Sequence, residues 1–357
     1  MKIEQMPKSM LQKVRDGIVI PAHPLALNDN EKLDEKYQRA LSRYYIDSGA
    51  GGLAVGVHTT QFEIREPHID LFEPVLRLCS EEIDSYCKER GRKDFFKVAG
   101  ICGDTAQAVE EAEFAFYNNY HAALLSLSAF ADESYDKMIE HCKEVASVMP
   151  VIGFYLQPAV GGRVLSYEFW RRFAEIDNVI AIKMAPFNRY QTLDVVRAVC
   201  DAGKEKDITL YTGNDDNILI DLLTTFKIDT NEGVKEVQIK GGLLGHWAVW
   251  TKKAVELLEK AKQLRQSDNI SIDTLTLAAE ITDSNAAFFD AANSFKGCIA
   301  GIHEVLRRQG LMGSIRCLNP EEKLSAGQSE QIDRVYKAYP HLNDDEFVKE
   351  NLERWLS

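Results

Sequence analysis

The feature that most constrains the fold of this chain is a regular alternation of two kinds of segment. Between about residues 17 and 266, short apolar runs typical of buried strands alternate with longer amphipathic segments at helical spacing. The predicted strands cover residues 17–23, 52–57, 96–102, 122–128, 151–157, 179–184, 208–213 and a segment near 241–248. Because each of the eight is followed by a helix, the pattern predicts a (β/α)8 TIM barrel.

A doubly wound open sheet is the main alternative to the barrel. That fold requires a glycine-rich phosphate loop directly after an early strand. The glycine cluster at 49–52 comes before its strand, so it is interpreted as a helix-to-strand turn. The predicted helices lie near residues 34–48, 70–91, 105–119, 134–148, 166–176, 190–203, 216–225 and 250–266.

Two regions depart from the alternation. Residues 226–239 contain two short strand-like runs around a turn at 230–233, which predicts a β-hairpin between the seventh helix and the eighth strand. After about residue 270 the chain is helical, with segments predicted at 273–282, 284–309, 321–338 and 344–356. No flexible linker precedes them. We therefore expect a barrel over 1–266, with the hairpin inserted near 226–240, and a C-terminal helical subdomain over 267–357 packed on it.

Composition limits the partners that this chain can have. Among its 357 residues 45% are hydrophobic, which supports a large core, and the net charge is -13. Such an acidic chain is not expected to bind nucleic acid or an anionic membrane as its main partner. The seven cysteines are scattered without C-x-x-C spacing and are interpreted as reduced thiols. The first residues lack an apolar signal segment and no run is long enough to cross a bilayer, so we expect a cytoplasmic protein.

Lys183 lies in the apolar run 179–185, where a lysine must reach solvent, pair with a charge or lose its proton. Tyr155 stands at the end of the preceding strand, one β-α-β unit away. A desolvated lysine beside a phenol has the outline of a Schiff-base site, in which a neutral amine attacks a ketone and the phenol moves protons. The alternative is a lysine at a strand end whose ammonium group lies in solvent.

The order and spacing of several segments resemble one known family. The residues that carry the resemblance lie at 17–25, 47–60, 154–158, 180–183, 213–216 and 306–316. Together they resemble the dihydrodipicolinate synthase / N-acetylneuraminate lyase family of class I, pyruvate-type aldolases, over about residues 15–340.

The resemblance implies a role for each matching residue. Lys183 would form the imine with a 2-keto acid and Tyr155 would transfer protons, while Thr59 and Thr60 would bind the carboxylate of the keto acid. Gly213 would line the site through close approach of its backbone. The two aspartates that follow, at 215–216, are interpreted as turn and helix N-cap residues. The resemblance also implies a homotetramer or dimer and no cofactor.

The chain departs from the family at three places. Gln61 follows the threonine pair where the family continues with glycine and glutamate, and residues 126–131 contain no tyrosine pair. Val160 stands where the synthases have an arginine, and Arg163 comes three residues later. Arg163 is thus a candidate to bind an anionic end of the substrate, with an exposed helix-start arginine as the alternative. Dihydrodipicolinate synthesis for the lysine pathway is therefore not expected.

Three histidines are predicted at the ends of strands that are neighbours in a closed barrel. His23 ends strand 1, His58 ends strand 2, and His246 lies near the end of strand 8. They are candidates for hydrogen bonding or acid–base chemistry in place of the missing tyrosine. Two alternatives stay open: a metal site, and histidines that only satisfy backbone groups. A lysine imine needs no metal, so none is expected.

The sequence therefore predicts a lyase or aldolase that acts on pyruvate or a 2-keto sugar acid through Lys183. A first alternative keeps the imine and changes the reaction to that of a keto-deoxy sugar acid dehydratase or a hydratase-aldolase. A second alternative is a barrel that binds a small acid without turnover. A buried amine favours the enzyme, because a protein that only binds has no need of it.

Overall fold

The barrel is the central feature of the computed structural model, which describes residues 1–357. The ten strands are β1 (Val19–Pro21), β2 (Gly52–Val55), β3 (Phe96–Ile101), β4 (Ala122–Leu125), β5 (Val151–Leu156), β6 (Val179–Ala185), β7 (Thr209–Thr212), β8 (Thr225–Thr230), β9 (Gly233–Gln238) and β10 (Gly241–Leu244). Eight of them form one parallel sheet in the order β1-β10-β7-β6-β5-β4-β3-β2. A parallel bridge between Ala22 and Ala54 joins the two ends of this order. The predicted (β/α)8 barrel is confirmed.

Thirteen α-helices accompany the strands. They are α1 (Lys8–Asp16), α2 (Glu35–Ser48), α3 (Phe72–Glu89), α4 (Thr105–Tyr117), α5 (Tyr135–Val148), α6 (Tyr167–Phe173), α7 (Arg189–Asp201), α8 (Ile218–Leu223), α9 (Thr251–Leu264), α10 (Asp273–Phe288), α11 (Cys298–Arg308), α12 (Gln328–Ala338) and α13 (Asp345–Leu356). Each barrel strand is followed by one of the helices α2 to α9. None of the helices has both the length and the apolar character needed to cross a membrane.

Helix α1, which the strand and helix pattern did not predict, closes the barrel at the amino ends of its strands. Met6, Met10 and Val14 are buried in the same apolar cluster as the barrel interior. The hydroxyl of Tyr211 on β7 donates to the carbonyl of Val14 at 2.7 Å. A ligand can therefore enter the barrel interior only from the carboxyl ends of the strands.

The predicted hairpin is present as β8 and β9, which pair antiparallel around a two-residue loop. Ile228 and Val237 bury one side of it. The ammonium group of Lys235 donates to the carbonyl of Cys200 at the end of α7, at 3.0 Å. The hairpin thus packs on the outside of the barrel, away from the carboxyl ends of the strands.

The C-terminal helices differ from their predicted bounds. The predicted break near residue 283 is wrong, because α10 continues to Phe288 and the chain turns at 289–297. The break falls there because Asp290, Ser294 and Phe295 adopt positive φ angles of 55°, 57° and 66°. The helix predicted from residue 321 begins only at Gln328. The division of the chain into 1–266 and 267–357 stays a prediction.

Candidate active site

Lys183 points into the barrel at the carboxyl end of β6. Along this strand Ala181 and Ala185 belong to the interior cluster, whereas Ile182 and Met184 face the helices. Since side chains alternate along a strand, Lys183 shares the interior face with the two alanines. Its side chain is 8% exposed and lines a cavity at the mouth of the barrel.

The surroundings of Lys183 favour the neutral amine. Its Nζ atom lies 4.3 Å from the ring centroid of Phe154 on β5. Burial lowers the pKa of Lys183 to about 8, and the nearby carboxylate of Asp215 only partly offsets this shift. With such a pKa roughly a tenth of the side chain is unprotonated at pH 7, against less than a thousandth for an ordinary lysine. The amine is thereby prepared to act as a nucleophile.

Asp215 lines the same cavity; it lies in the turn that was predicted for it, but it is not the N-cap of the helix. The N-cap of α8 is Asn217. The backbone N–H of His246 donates to Oδ1 of Asp215 at 2.9 Å. Burial raises the pKa of Asp215 to about 7, and the hydrogen bond from His246 and the charge of Lys183 oppose this shift. A carboxyl group with this pKa can both donate and accept a proton near neutrality. Its position two residues after Gly213, at the end of the strand beside β6, was the signal that could have identified it.

His58 and Thr59, which directly follow β2 and its turn, also line the cavity. Burial lowers the pKa of His58 to about 4, and the positive charge of Lys183 lowers it further. The imidazole is therefore neutral and offers one donor and one acceptor. Together with the hydroxyl of Thr59 it can bind the carboxylate of a small acid.

Gly213 lies against the side chain of Lys183 where β7 ends. A Cβ atom at this position would lie 2.6 Å from Cε of Lys183 and 2.9 Å from Cβ of Ala185. Only a residue without a side chain fits there. The sequence predicted that Gly213 lines the site, and the structure places it in the cavity wall.

The structure does not place Tyr155 in the cavity. Its hydroxyl donates to the carbonyl of Leu165 at 3.0 Å and accepts from the N–H of the same residue at 3.1 Å. Its ring packs on Trp170 in the layer between strands and helices. The predicted role of Tyr155 in proton transfer is therefore wrong, because its hydroxyl does not reach the cavity.

A one-residue bulge explains why Phe154 lies beside Lys183 in place of Tyr155. Val151 pairs with Val179, and an unbroken register would set Tyr155 opposite Lys183. The register shifts between Val151 and Ile152, so that Lys183 pairs with Phe154. An extra residue in one strand reverses which side chains face inward beyond it.

The histidines at the ends of β1 and β10 point away from the cavity. Both ring nitrogens of His23 are engaged, Nε2 with the hydroxyl of Ser42 at 2.9 Å and Nδ1 with the carbonyl of Pro24 at 2.8 Å. The imidazole of His246 stacks on Phe288 of α10, with 5.6 Å between ring centroids. The three predicted histidines therefore do not converge. No group of three or more His, Cys, Asp or Glu side chains is arranged to hold a metal ion.

Arg163 and Thr60 have structural contacts in place of the predicted substrate contacts. The guanidinium of Arg163 donates to the carbonyls of Phe130 at 2.9 Å and Glu133 at 3.0 Å, so it holds the loop after β4. The hydroxyl of Thr60 donates to the carbonyl of His23 at 2.7 Å and accepts from the N–H of Gly56. Thr60 thus fastens the end of β1 to the turn after β2.

Three phenylalanines, which we call the phenylalanine roof, line the cavity on the solvent side and leave it partly open. Phe187 follows β6, and Phe289 and Phe295 lie in the turn between α10 and α11. The rings of Phe187 and Phe295 meet edge to face with centroids 5.8 Å apart. The volume of the cavity is about 50 Å³. At about 10–15 Å³ for each water-sized group, it holds a ligand of a few heavy atoms.

The fold and this cavity define a class of protein: a (β/α)8 barrel with a buried lysine on the sixth strand, open at the carboxyl ends of its strands. Residues 16–226 match the model of the dihydrodipicolinate synthetase family, and the chain belongs to this family.

Individual relatives are more distant. N-acetylneuraminate lyase 2 of Escherichia coli O6:H1 is 22% identical over 314 residues, which cover 85% of this chain and 87% of the relative. The structure of N-acetylneuraminate lyase from Fusobacterium nucleatum complexed with pyruvate is similar with a TM-score of 0.68 at 17% identity, covering 90% of this chain and 97% of that one. Dihydrodipicolinate synthase from Acinetobacter baumannii complexed with pyruvate gives a TM-score of 0.71 at 19% identity, with coverages of 90% and 98%. These similarities show that the barrel is shared.

Proposed function

We propose that this protein is a class I lyase that binds pyruvate or a closely related 2-keto acid as an imine of Lys183. The observation that carries the proposal is the lysine itself: a buried amine with a lowered pKa, inside a cavity at the carboxyl ends of the barrel strands. Enzymes of this fold place their chemistry at that face. Membership of the family and the pyruvate complexes of two structural relatives support the same conclusion.

In the first step Nζ of Lys183 attacks C2 of the keto acid. A C–N bond forms, the carbonyl oxygen takes up two protons and leaves as water, and an iminium ion results. When the keto acid carries a hydroxyl on C4, the bond between C3 and C4 then breaks. Its electron pair moves to the iminium to give an enamine, and the C4 hydroxyl loses its proton as the aldehyde forms. The reverse sequence joins pyruvate to an aldehyde.

Asp215 is the group that we assign to these proton transfers. It shares the cavity with Lys183, and its second carboxyl oxygen makes no hydrogen bond within the protein. Its raised pKa lets it exist in both protonation states near neutral pH. The chain thus uses a carboxyl group where the resemblance suggested a phenol, because Tyr155 faces the helices while its neighbours Phe154 and Leu156 on β5 face the interior.

His58 and Thr59 are the groups that we assign to the carboxylate of the keto acid. Both line the cavity on the β2 side, and both can donate a hydrogen bond. His58 does so as a neutral imidazole, because burial holds its pKa to about 4. Cytoplasmic location and assembly into a homotetramer or dimer stay predictions.

Reductive trapping tests the proposal. The protein is incubated with pyruvate and sodium borohydride, and the modified residue is located by intact mass and peptide mapping. We expect one reduced pyruvate adduct, on Lys183, which the variant Lys183→Arg abolishes. Absence of the adduct from the folded protein, or an adduct on another residue, would overturn the proposal and favour the barrel that binds without turnover.

Lys97 provides a matched control, because it is also a buried lysine on a barrel strand. Its side chain is 2% exposed, but its Nζ donates to the carboxylate of Asp84 at 2.6 Å and to the hydroxyl of Ser80 at 2.9 Å. An ion-paired ammonium is not a nucleophile. The variant Lys97→Arg is therefore expected to form the adduct on Lys183 as the unmodified protein does.

A further inference from the structure

We infer that the aldehyde joined to, or released from, the keto acid in this site carries an apolar, preferably aromatic, group and not a polyhydroxylated chain. The inference rests on the proposed imine chemistry and adds the substrate class. It follows from the wall of the cavity, which is apolar except around Lys183, and from the phenylalanine roof, whose backbone is held in place.

The polar side chains of the cavity are all accounted for by the keto acid, with one exception. The polar side chains of the lining are those of His58, Thr59, Gln157, Lys183 and Asp215, together with the weakly hydrogen-bonding thiol of Cys298. Lys183 forms the imine, Asp215 transfers protons, and the other two assigned groups bind the carboxylate. Gln157 is the one strong hydrogen-bonding side chain that remains for the rest of the substrate.

A sugar chain is poorly matched to one remaining amide. Each buried hydroxyl without a hydrogen-bond partner weakens binding by about tenfold or more. Arg163, which the sequence predicted as a partner for an anionic group, donates to the carbonyls of Phe130 and Glu133 and does not line the cavity. The wall offers neither several hydroxyl partners nor a cation for a second acid group.

The same wall is well matched to an apolar group. Phe154 lies beside Lys183, Leu156 and Val160 line the β5 side, and the roof lies above. Aromatic rings pack on such surfaces face to edge or offset, as the roof rings already do with each other. With a volume of about 50 Å³, the cavity has room for the keto acid but not for a ring in addition. The ring of an aromatic aldehyde must therefore lie at the mouth of the cavity against the roof, with movement of the roof side chains.

Phe187 is held at the cavity by its backbone. Its φ angle is 52°, in the left-handed region that a phenylalanine rarely adopts. The side chain of Asn214, itself fully buried, accepts the N–H of Phe187 at 3.1 Å. Backbone conformations of this kind persist only where the surroundings impose them.

The other part of the roof is held by Asp290. Its carboxylate accepts from the side-chain amide of Asn293 at 2.6 Å and from the N–H of Gly297 at 3.1 Å. Its carbonyl accepts the N–H of Phe295 at 3.1 Å. Phe295 keeps a partly exposed ring at the cavity although its own φ angle is 66°. These contacts hold the backbone of the turn in the conformation that places the ring of Phe295 in the cavity wall.

The test compares two aldehydes in carbon–carbon bond formation with pyruvate. We expect kcat/KM for benzaldehyde to exceed that for D-erythrose by at least about tenfold. Equal or better use of D-erythrose would overturn the inference. So would the absence of a product with both aldehydes in a preparation that forms the pyruvate adduct.

Variants of the roof sharpen this test. Phe295→Gln is expected to lower kcat/KM for benzaldehyde by about tenfold or more, since it places an amide against the ring. Phe295→Leu, which keeps an apolar side chain, should restore most of this loss. Phe116→Gln is the matched control on the outer end of α4, where the ring is 38% exposed. Equal effects of Phe295→Gln and Phe295→Leu would contradict the inference.

Borohydride trapping with pyruvate in the same preparations tests the imine chemistry separately from the substrate class. If no adduct forms on Lys183, the imine chemistry fails and the substrate class fails with it. If the adduct forms and D-erythrose is preferred, the imine chemistry stands and only the apolar substrate class is rejected.

Discussion

Lys183 and Asp215 form a buried pair. Burial disfavours the charged form of each side chain, and the opposite charge of its partner offsets part of this effect. For the lysine the effect of burial is larger than the effect of the carboxylate, so its pKa is lowered. For the aspartate the effect of burial is larger than those of the His246 hydrogen bond and the lysine, so its pKa is raised. Both groups therefore titrate close to neutrality, where a nucleophile and a proton donor are needed together.

The pH dependence of imine formation follows from this pair. The reactive form is the neutral amine, so the rate should rise with pH and reach half of its maximum near pH 8. Asp215→Asn removes the negative charge that raises the pKa of Lys183, and the midpoint should move to lower pH. Cyanoborohydride trapping of pyruvate at a series of pH values measures it. The exposed Asp132→Asn is the control, and an unchanged midpoint in Asp215→Asn would contradict the pairing.

Gly213 offers a second residue-level prediction. In Gly213→Ala the new methyl group would lie 2.6 Å from Cε of Lys183, so the lysine side chain must move. Displacement of a reacting group by about 1 Å can cost roughly a hundredfold in rate, and we expect at least about a tenfold slower trapping of pyruvate. Gly91→Ala is the control, since no atom lies within 4 Å of its Cβ position. Equal trapping rates in the two variants would show that the lysine can adjust.

The sequence predicted correctly which strand ends form the site. It was less successful in predicting which side chains at those strand ends face the cavity. Lys183, His58, Thr59 and Gly213 line the cavity, as the sequence suggested. Tyr155 does not, because Phe154 and Leu156 of β5 face the interior and Tyr155, between them, faces the helices. The bulge in β6, which brings Lys183 to the interior beside Phe154, leaves no recognisable mark in the composition of that strand.

At the level of elements, two features were not predicted from the sequence: helix α1, and the turn between α10 and α11 that carries Phe289 and Phe295. Met6, Met10 and Val14 recur at four-residue spacing, so a helical signal for α1 was present in the sequence. For the break between α10 and α11, Gly297 was a signal at its end. The positive φ angles at Asp290, Ser294 and Phe295 had no signal, since none of these three residues is glycine.

Helix α1 should contribute to stability without affecting the chemistry. Met10 is 5% exposed and packs in the barrel interior, so Met10→Ala should lower the free energy of unfolding by about 2–4 kcal/mol. Chemical denaturation measures this loss. Lys8→Ala, on the exposed side of the same helix, should change it little. Pyruvate trapping should be unaltered in Met10→Ala, because α1 lies at the opposite end of the barrel from Lys183, and a slower reaction would contradict this separation.

At the scale of the whole molecule, the largest apolar cluster joins the C-terminal helices to the outer layer of the barrel. Buried residues of α10, α12 and α13 belong to the same cluster as the outer faces of the barrel strands. Trp355 is fully buried near the end of α13, where it packs on Tyr44 of α2 with 5.4 Å between ring centroids. Its indole N–H donates to Asp47 at 2.8 Å. The last helix is thereby fastened to the second.

We therefore expect the chain to unfold as one cooperative unit. Trp355→Ala should lower the free energy of unfolding by about 3–5 kcal/mol and shift the entire transition. Circular dichroism in the far ultraviolet and tryptophan fluorescence should report the same midpoint. Glu353→Ala, an exposed change on the same helix, is the control. Two separate transitions would indicate a helical part that unfolds independently of the barrel.

The barrel itself was predictable because short buried runs rich in apolar residues alternate with amphipathic helices along the chain. The packing of the C-terminal helices was not predictable in detail. It depends on pairs such as Trp355 and Tyr44, which are separated by most of the chain.

The phenylalanine roof also determines the passage of water. Imine formation releases one water molecule and hydrolysis of the imine consumes one, and both must pass the roof rings at the mouth of the cavity. Rings that restrict solvent there favour the dehydrated intermediate and delay its hydrolysis. The residence time of the covalent intermediate thus depends on the roof side chains as well as on the groups that transfer its protons.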